Sequence, residues 1–117
     1  MKTELDIPNM SIIDSVTEQL GAPKDYEGYD TEILMLINSA LSKLTHIGVG
    51  PPEGFYICGS SSTWSEFLDP GESLFMAYEY VYLDVKLVFD PPANGTLVEV
   101  FTSRRNELAS RLEMLGD

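Results

Sequence analysis

The chain has 117 residues, 44% of them hydrophobic, and carries 19 acids against 7 bases for a net charge of -12. Such a length suits one domain, 1–117, with a real but thin core, and the apolar content excludes a disordered chain. The charge repels phosphates, and no basic patch with interleaved aromatics offsets it, which excludes a reader of DNA or RNA.

The N-terminus, "MKTELDIPNM", has no apolar stretch of the kind a secretory signal requires. No later run approaches the ~20 apolar residues of a membrane span. Residues 9–20, "NMSIIDSVTEQL", place Met10, Ile13, Val16 and Leu20 at helical spacing. Asn9 or Ser11 can cap this helix, and Ser11 with Asp14 approximates a capping box. Gly21 and Pro23 stop it, and "KDYEGYD" follows as an acidic loop.

A second helix is expected over 30–47, capped by Asp30. Ile33, Ile37, Ala40, Leu41 and Leu44 form its apolar stripe, widened by Leu34, Leu36 and Ile47. The single histidine, His46, falls on the polar side, roughly 220° round from Ile33 at ~100° per residue. Gly48 is placed to end the helix in the left-handed conformation. The stretch "IGVGPPEGF" invites comparison with a phosphate-binding loop, but that loop needs GxxxxGK[ST]. Gly54 is followed by neither lysine nor Ser/Thr, and the glycines follow a helix rather than precede one, so they meet its negative end. His46 reads as a weak helix C-cap without a catalytic or metal-binding partner.

"FYIC", residues 55–58, alternates weakly and is expected as a short strand or an extended arm. Cys58 is the only cysteine, which rules out an intrachain disulfide and points to a reducing cytoplasm. "GSSS" is a connection, and Ser60, Ser61 and Ser62 lack the G-x-S-x-G elbow of a serine nucleophile. "TWSEFL" has Thr63 and Glu66 in capping-box spacing and suggests one helical turn, with Trp64 and Phe67 tucked onto the core.

The helix expected over 72–89 is the most informative element. Asp69-Pro70 introduces it, and Asp90-Pro91-Pro92 ends it. One face carries Leu74, Tyr78, Val81, Tyr82, Val85, Val88 and Phe89; the opposite face carries Met76, Tyr80, Leu83 and Leu87. Only Glu79, Asp84 and Lys86 interrupt the apolar surround. A helix apolar on both sides is covered on both sides. Either its own neighbours wrap it, or Met76, Tyr80, Leu83 and Leu87 form an association surface. The last helix is expected over 96–115, capped by Thr96 with Glu99, along a stripe of Leu97, Phe101, Leu108, Leu112 and Leu115. Arg104, Arg105 and Arg111 flank that stripe. Solvated arginines are one reading; pairing to acids on another helix or subunit is the other, which makes Arg104 and Arg111 the polar rim of the association surface.

The sum is a mainly all-α fold: a four-helix small domain with a short irregular β-like insert between the second and third helices, and no assembled catalytic, cofactor or metal site. Several stretches resemble the head–tail connector proteins of tailed phages and prophages of Gram-positive bacteria. These are "DTEILMLINSALSKLTHIGVGPPEGF", "TWSEF", "YVYLDVKLVFDPP" and "ELASRL", and the similarity covers residues 10 to 113 in order. Two positions depart from it: Asp84 stands where a basic residue is expected, and Ser110 where an aromatic often follows "EL". The resemblance implies a structural virion protein of the neck, made in the host cytoplasm, with neither catalysis nor cofactor. It implies a homo-oligomeric ring, commonly of about twelve subunits in closed symmetry. The ring adapts the portal protein to downstream head-completion or tail proteins and extends the channel, with DNA only as passing cargo and no membrane contact. Two other classes stay open: an acidic DNA mimic or regulatory interaction protein, and, more remotely, a small hydrolase using His46 with a nearby carboxylate.

Overall fold

The computed structural model describes residues 6–21 and 27–115, without the side chains of residues 27–30. Five α-helices follow a short 3₁₀ turn at Ile7–Asn9: α1 (Ile12–Leu20), α2 (Glu27–His46), α3 (Trp64–Phe67), α4 (Glu72–Phe89) and α5 (Gly95–Leu115). Among the described residues no sheet forms, and the fold is mainly all-α. α4 lies at the centre, with α2 on one side and α5 on the other, while α1 and α3 close the first side.

Helix ends follow local chemistry, with four shifts from expectation. Ser11 caps α1 by accepting the Asp14 N–H at 3.2 Å, and Asn9 belongs instead to the 3₁₀ turn. α2 begins at Glu27, so Asp30 stands inside its first turn rather than before it; the Asp30 side chain and Pro23 lie outside the described residues. Thr63 does not cap α3, because its hydroxyl is shared with that of Ser65. α5 is capped by Asn94, whose Oδ1 accepts the Thr96 N–H at 2.7 Å and the Leu97 N–H at 3.3 Å, so Thr96 is already helical. α4 spans 72–89 as its proline stop predicts.

Gly48 ends α2 at φ +93°. Its N–H donates to the Thr45 carbonyl at 3.0 Å, and the Val49 N–H donates to that of Leu44 at 2.9 Å. This pair of bonds satisfies two of the helix's orphan carbonyls, and buried Val49 returns the chain to the core. Gly50 is required for space as well: at φ +86°, a Cβ there would lie 2.5 Å from Cε1 of Phe67.

Residues 55–58 form an extended arm rather than a strand. Asn38 holds it by acting as a strand edge would: its Nδ2 donates to the Ile57 carbonyl at 2.9 Å, and its Oδ1 accepts the Ile57 N–H at 2.8 Å. Ile57 is thereby buried. The loop then returns to α1, where the Ile12 N–H donates to the Ser62 carbonyl, the Trp64 N–H donates to that of Met10, and Ser11 and Thr63 form an isolated antiparallel bridge.

The core follows the predicted stripes. Ile33, Ile37, Ala40, Leu41 and Leu44 of α2 meet Leu74, Ala77, Val81 and Val85 of α4, and all nine are wholly buried. Trp64 is sealed between α1 and α4; its indole N–H donates to Ser15 at 2.8 Å, and its ring meets Tyr78 edge-on at 5.4 Å. Val88, expected on this face, is exposed in the last turn of α4, where Leu87 and Phe89 are only half-buried.

Candidate association surface

The two apolar faces of α4 exist as the sequence spaces them, but the chain covers both. Met76, Tyr80 and Leu83 are only 7%, 7% and 5% exposed within the subunit. Their cover is α5. Glu72, Met76, Glu79, Leu83 and Leu87 recur at three- and four-residue steps and so share one stripe, and the acids of that stripe bond α5. Opposite them, Leu108 and Leu112 are buried and Phe101 is half-buried. Leu97 and Leu115, at the two ends of the expected α5 stripe, are exposed. The reading in which α4 is wrapped by its own neighbours describes Met76, Tyr80 and Leu83. Of the four residues expected to form the association surface, Leu87 alone remains half-exposed.

The arginines are likewise engaged at home. Arg104 grips Glu79 bidentately, Nε to Oε2 at 2.8 Å and Nη2 to Oε1 at 3.1 Å, and also reaches Glu107 at 3.5 Å. The Glu79 bonds hold the Arg104 guanidinium above its usual pKa. Arg111 stands 3.7 Å from Glu72, with both side chains largely in water. Within the subunit, Arg104 and Arg111 therefore reach acids on α4 of the same chain.

Asp84, where the resemblance led to the expectation of a basic residue, is the hub of this seam. It is 4% exposed, and both oxygens are used. Lys43 of α2 donates to them at 3.2 and 3.1 Å, and Arg105 of α5 donates at 3.1 Å. One carboxylate thus ties three helices together and offsets its own burial with two cations. A basic residue here would have faced Lys43 and Arg105 as a like charge. Burial pushes the phenol pKa of neighbouring Tyr80 upward; the Asp84 charge adds to that rise, and Arg105 opposes it. Tyr78, on the other face, is raised by burial and by the negative charge of Glu18.

All five described lysines and arginines are paired with carboxylates: Lys43, Lys86, Arg104, Arg105 and Arg111. Exposed acids such as Asp14, Glu18, Glu53, Glu66, Asp69 and Glu99 are left to dominate the surface. His46 and Cys58 are exposed and far apart in role, one ending α2 and the other beside the arm. Among the described residues no group of acids, histidine and cysteine is arranged to hold a metal, and no helix is long and apolar enough to cross a membrane.

Sequence reasoning missed Asn38 and the Asp84 hub. Each had a signal: an amide beside a buried stripe, and an acid set directly between two buried apolar residues, Leu83 and Val85. Exposed apolar side chains cluster in sequence around the α4–α5 connection, at Val88, Leu97 and Val100, with Phe75, Met114 and Leu115 near the opposite end of the pair.

The family model described as phage connector protein matches residues 12–117. The comparisons with curated proteins and with solved structures found no match.

Proposed function

The chain belongs to the phage connector protein family, whose role is structural, and from that premise we propose that it forms a ring adaptor between portal and tail. In this reading the whole chain, 1–117, acts as one unit, stands in the virion neck, and extends the DNA channel after packaging. It is not an enzyme and uses no cofactor. Its partners are other copies of itself, commonly about twelve in closed symmetry, the portal protein, and downstream head-completion or tail proteins.

The observation that carries the reading is the family match over residues 12–117, to which the electrostatics add a physical account. Every described cation is neutralised inside the subunit, and the remaining surface is acidic. Such a wall offers DNA phosphates no counter-charge, so DNA slides past without sticking. Self-association draws on Leu87 and on the exposed apolar residues Val88, Leu97 and Val100, with Arg104 as polar rim beside Val100 and Arg111 at the far end of the α4–α5 pair.

Light scattering of the chain alone and mixed with the portal encoded nearby tests this. A mass gain on mixing, to a closed multiple of the subunit, is the expected result. An acidic DNA mimic would instead ignore the portal and displace DNA from a nucleic-acid enzyme, and that outcome would overturn the ring reading.

A further inference from the structure

All three arginines of the chain lie on α5. Among the described residues, α4 is the one helix on which α5 has an extensive packing surface. Its hold there is part apolar, through Leu108, Leu112 and Phe101, and part ionic, through Glu79, Asp84 and Glu72. Two of the three ion pairs are open to water, where salt screens them. The third can break without leaving an orphan charge, because Asp84 keeps Lys43 on both oxygens when Arg105 departs. The connection, residues 90–94, holds Pro91 and Pro92, which forbid a continuous α4–α5 helix and leave the two helices joined by a short non-helical link.

Beneath α5 lies an apolar stripe, Met76, Tyr80 and Leu83, edged by acids. A ligand for that stripe must be an apolar helix face flanked by cations at matching spacing. In a chain of net charge -12, α5 itself supplies that pattern. From these observations we infer that α5 is an exchangeable cover. It closes over its own α4 in the lone subunit and over the α4 of a second copy in the assembled form. Exchange of an identical element reuses contacts already optimised and so has a low thermodynamic cost. This deepens the ring reading and rests on it for the biological setting, although exchange itself needs only two copies.

Two variants test it, Glu79→Arg and Arg104→Glu, each of which places like charges across its own α4–α5 seam. Exchange in an equimolar mixture restores an opposite-charge pair at both seams. The expected result is a monomer for each variant alone and about a two-fold mass gain on mixing, read by light scattering. A mixture that keeps the mass of its components overturns the inference.

Thiol labelling in a Cys58→Ser background supplies the second measurement. Leu83→Cys, under α5, should react at least about ten-fold faster than Val81→Cys on the α2 side, and faster still in salt. Equal rates would mean that α4 is uncovered only by global unfolding, which also overturns the inference. Met76→Cys serves if Leu83→Cys fails to fold. Portal binding without exchange would sink this inference and leave the ring reading standing. Exchange without portal binding would do the reverse.

Discussion

The two sides of α4 are built from different physics. Toward α1, α2 and α3 the contact is mainly apolar, Leu74, Ala77, Val81 and Val85 against the α2 stripe closed by Trp64, with the single ion pair Lys43–Asp84 at its edge. Toward α5 a narrow apolar strip is bracketed by Arg104–Glu79, Arg105–Asp84 and Arg111–Glu72. An apolar contact is non-directional and is not screened by salt; an ion-paired seam is specific in register but weak where water reaches it. The difference teaches that one helix can serve as permanent core on one side and as a registered, releasable joint on the other.

The largest expected effect lies on the first side. Trp64→Ala should cost about 3–5 kcal/mol, since it empties a sealed site and removes the partner of Ser15. Urea unfolding followed by circular dichroism at 222 nm measures it; a loss below about 1 kcal/mol would show that the two sides are energetically alike.

The hub comes next. Lys43→Ala and Arg105→Ala should each cost on the order of 1 kcal/mol, because the other cation still serves Asp84. Together they strand a buried carboxylate and should cost about 3 kcal/mol or more, beyond the sum of the single losses. A double-mutant cycle that closes additively would remove Asp84 from its role as hub.

Asn38→Ala should free the arm at about 1–2 kcal/mol, by leaving the Ile57 N–H and carbonyl without their partner. Faster hydrogen exchange at the Ile57 amide is the direct readout, with the α4–α5 seam unchanged.

Alkaline pH reaches both sides at once. Tyr78 and Tyr80 have folded-state pKa values raised above 10.0, so their contribution to stability is full below that pH and is lost as pH rises through the raised values. Thermal melts should therefore fall above about pH 10, and less steeply in a Tyr78→Phe, Tyr80→Phe variant. A melting profile flat to pH 11 would contradict the burial assigned to both phenols.

The smallest effects belong to His46→Gln and Cys58→Ser, expected within about 0.5 kcal/mol of the parent because both side chains are exposed. Loss of an activity or of a bound metal in either variant would reopen the hydrolase reading.

The sequence by itself determined whatever depends on neighbours along the chain. The stripe of α2, the Schellman end at Gly48, the bounds of α4 and the Ser11 cap all follow from helical period, left-handed glycine and proline's missing donor. So does the presence of two apolar faces on α4. Tertiary structure decided what meets those faces. That α5 of the same chain covers Met76, Tyr80 and Leu83 is a contact across the 90–94 turn, and periodicity carries no information about a partner's identity. The same holds for Asp84, whose fit depends on Lys43 and Arg105 arriving from 41 and 21 residues away. It holds for Asn38 as well, which looked like solvent-facing polarity until the arm, 19 residues on, lay down beside it. Local backbone chemistry is written in adjacent residues, whereas charge pairing and surface covering depend on three-dimensional proximity.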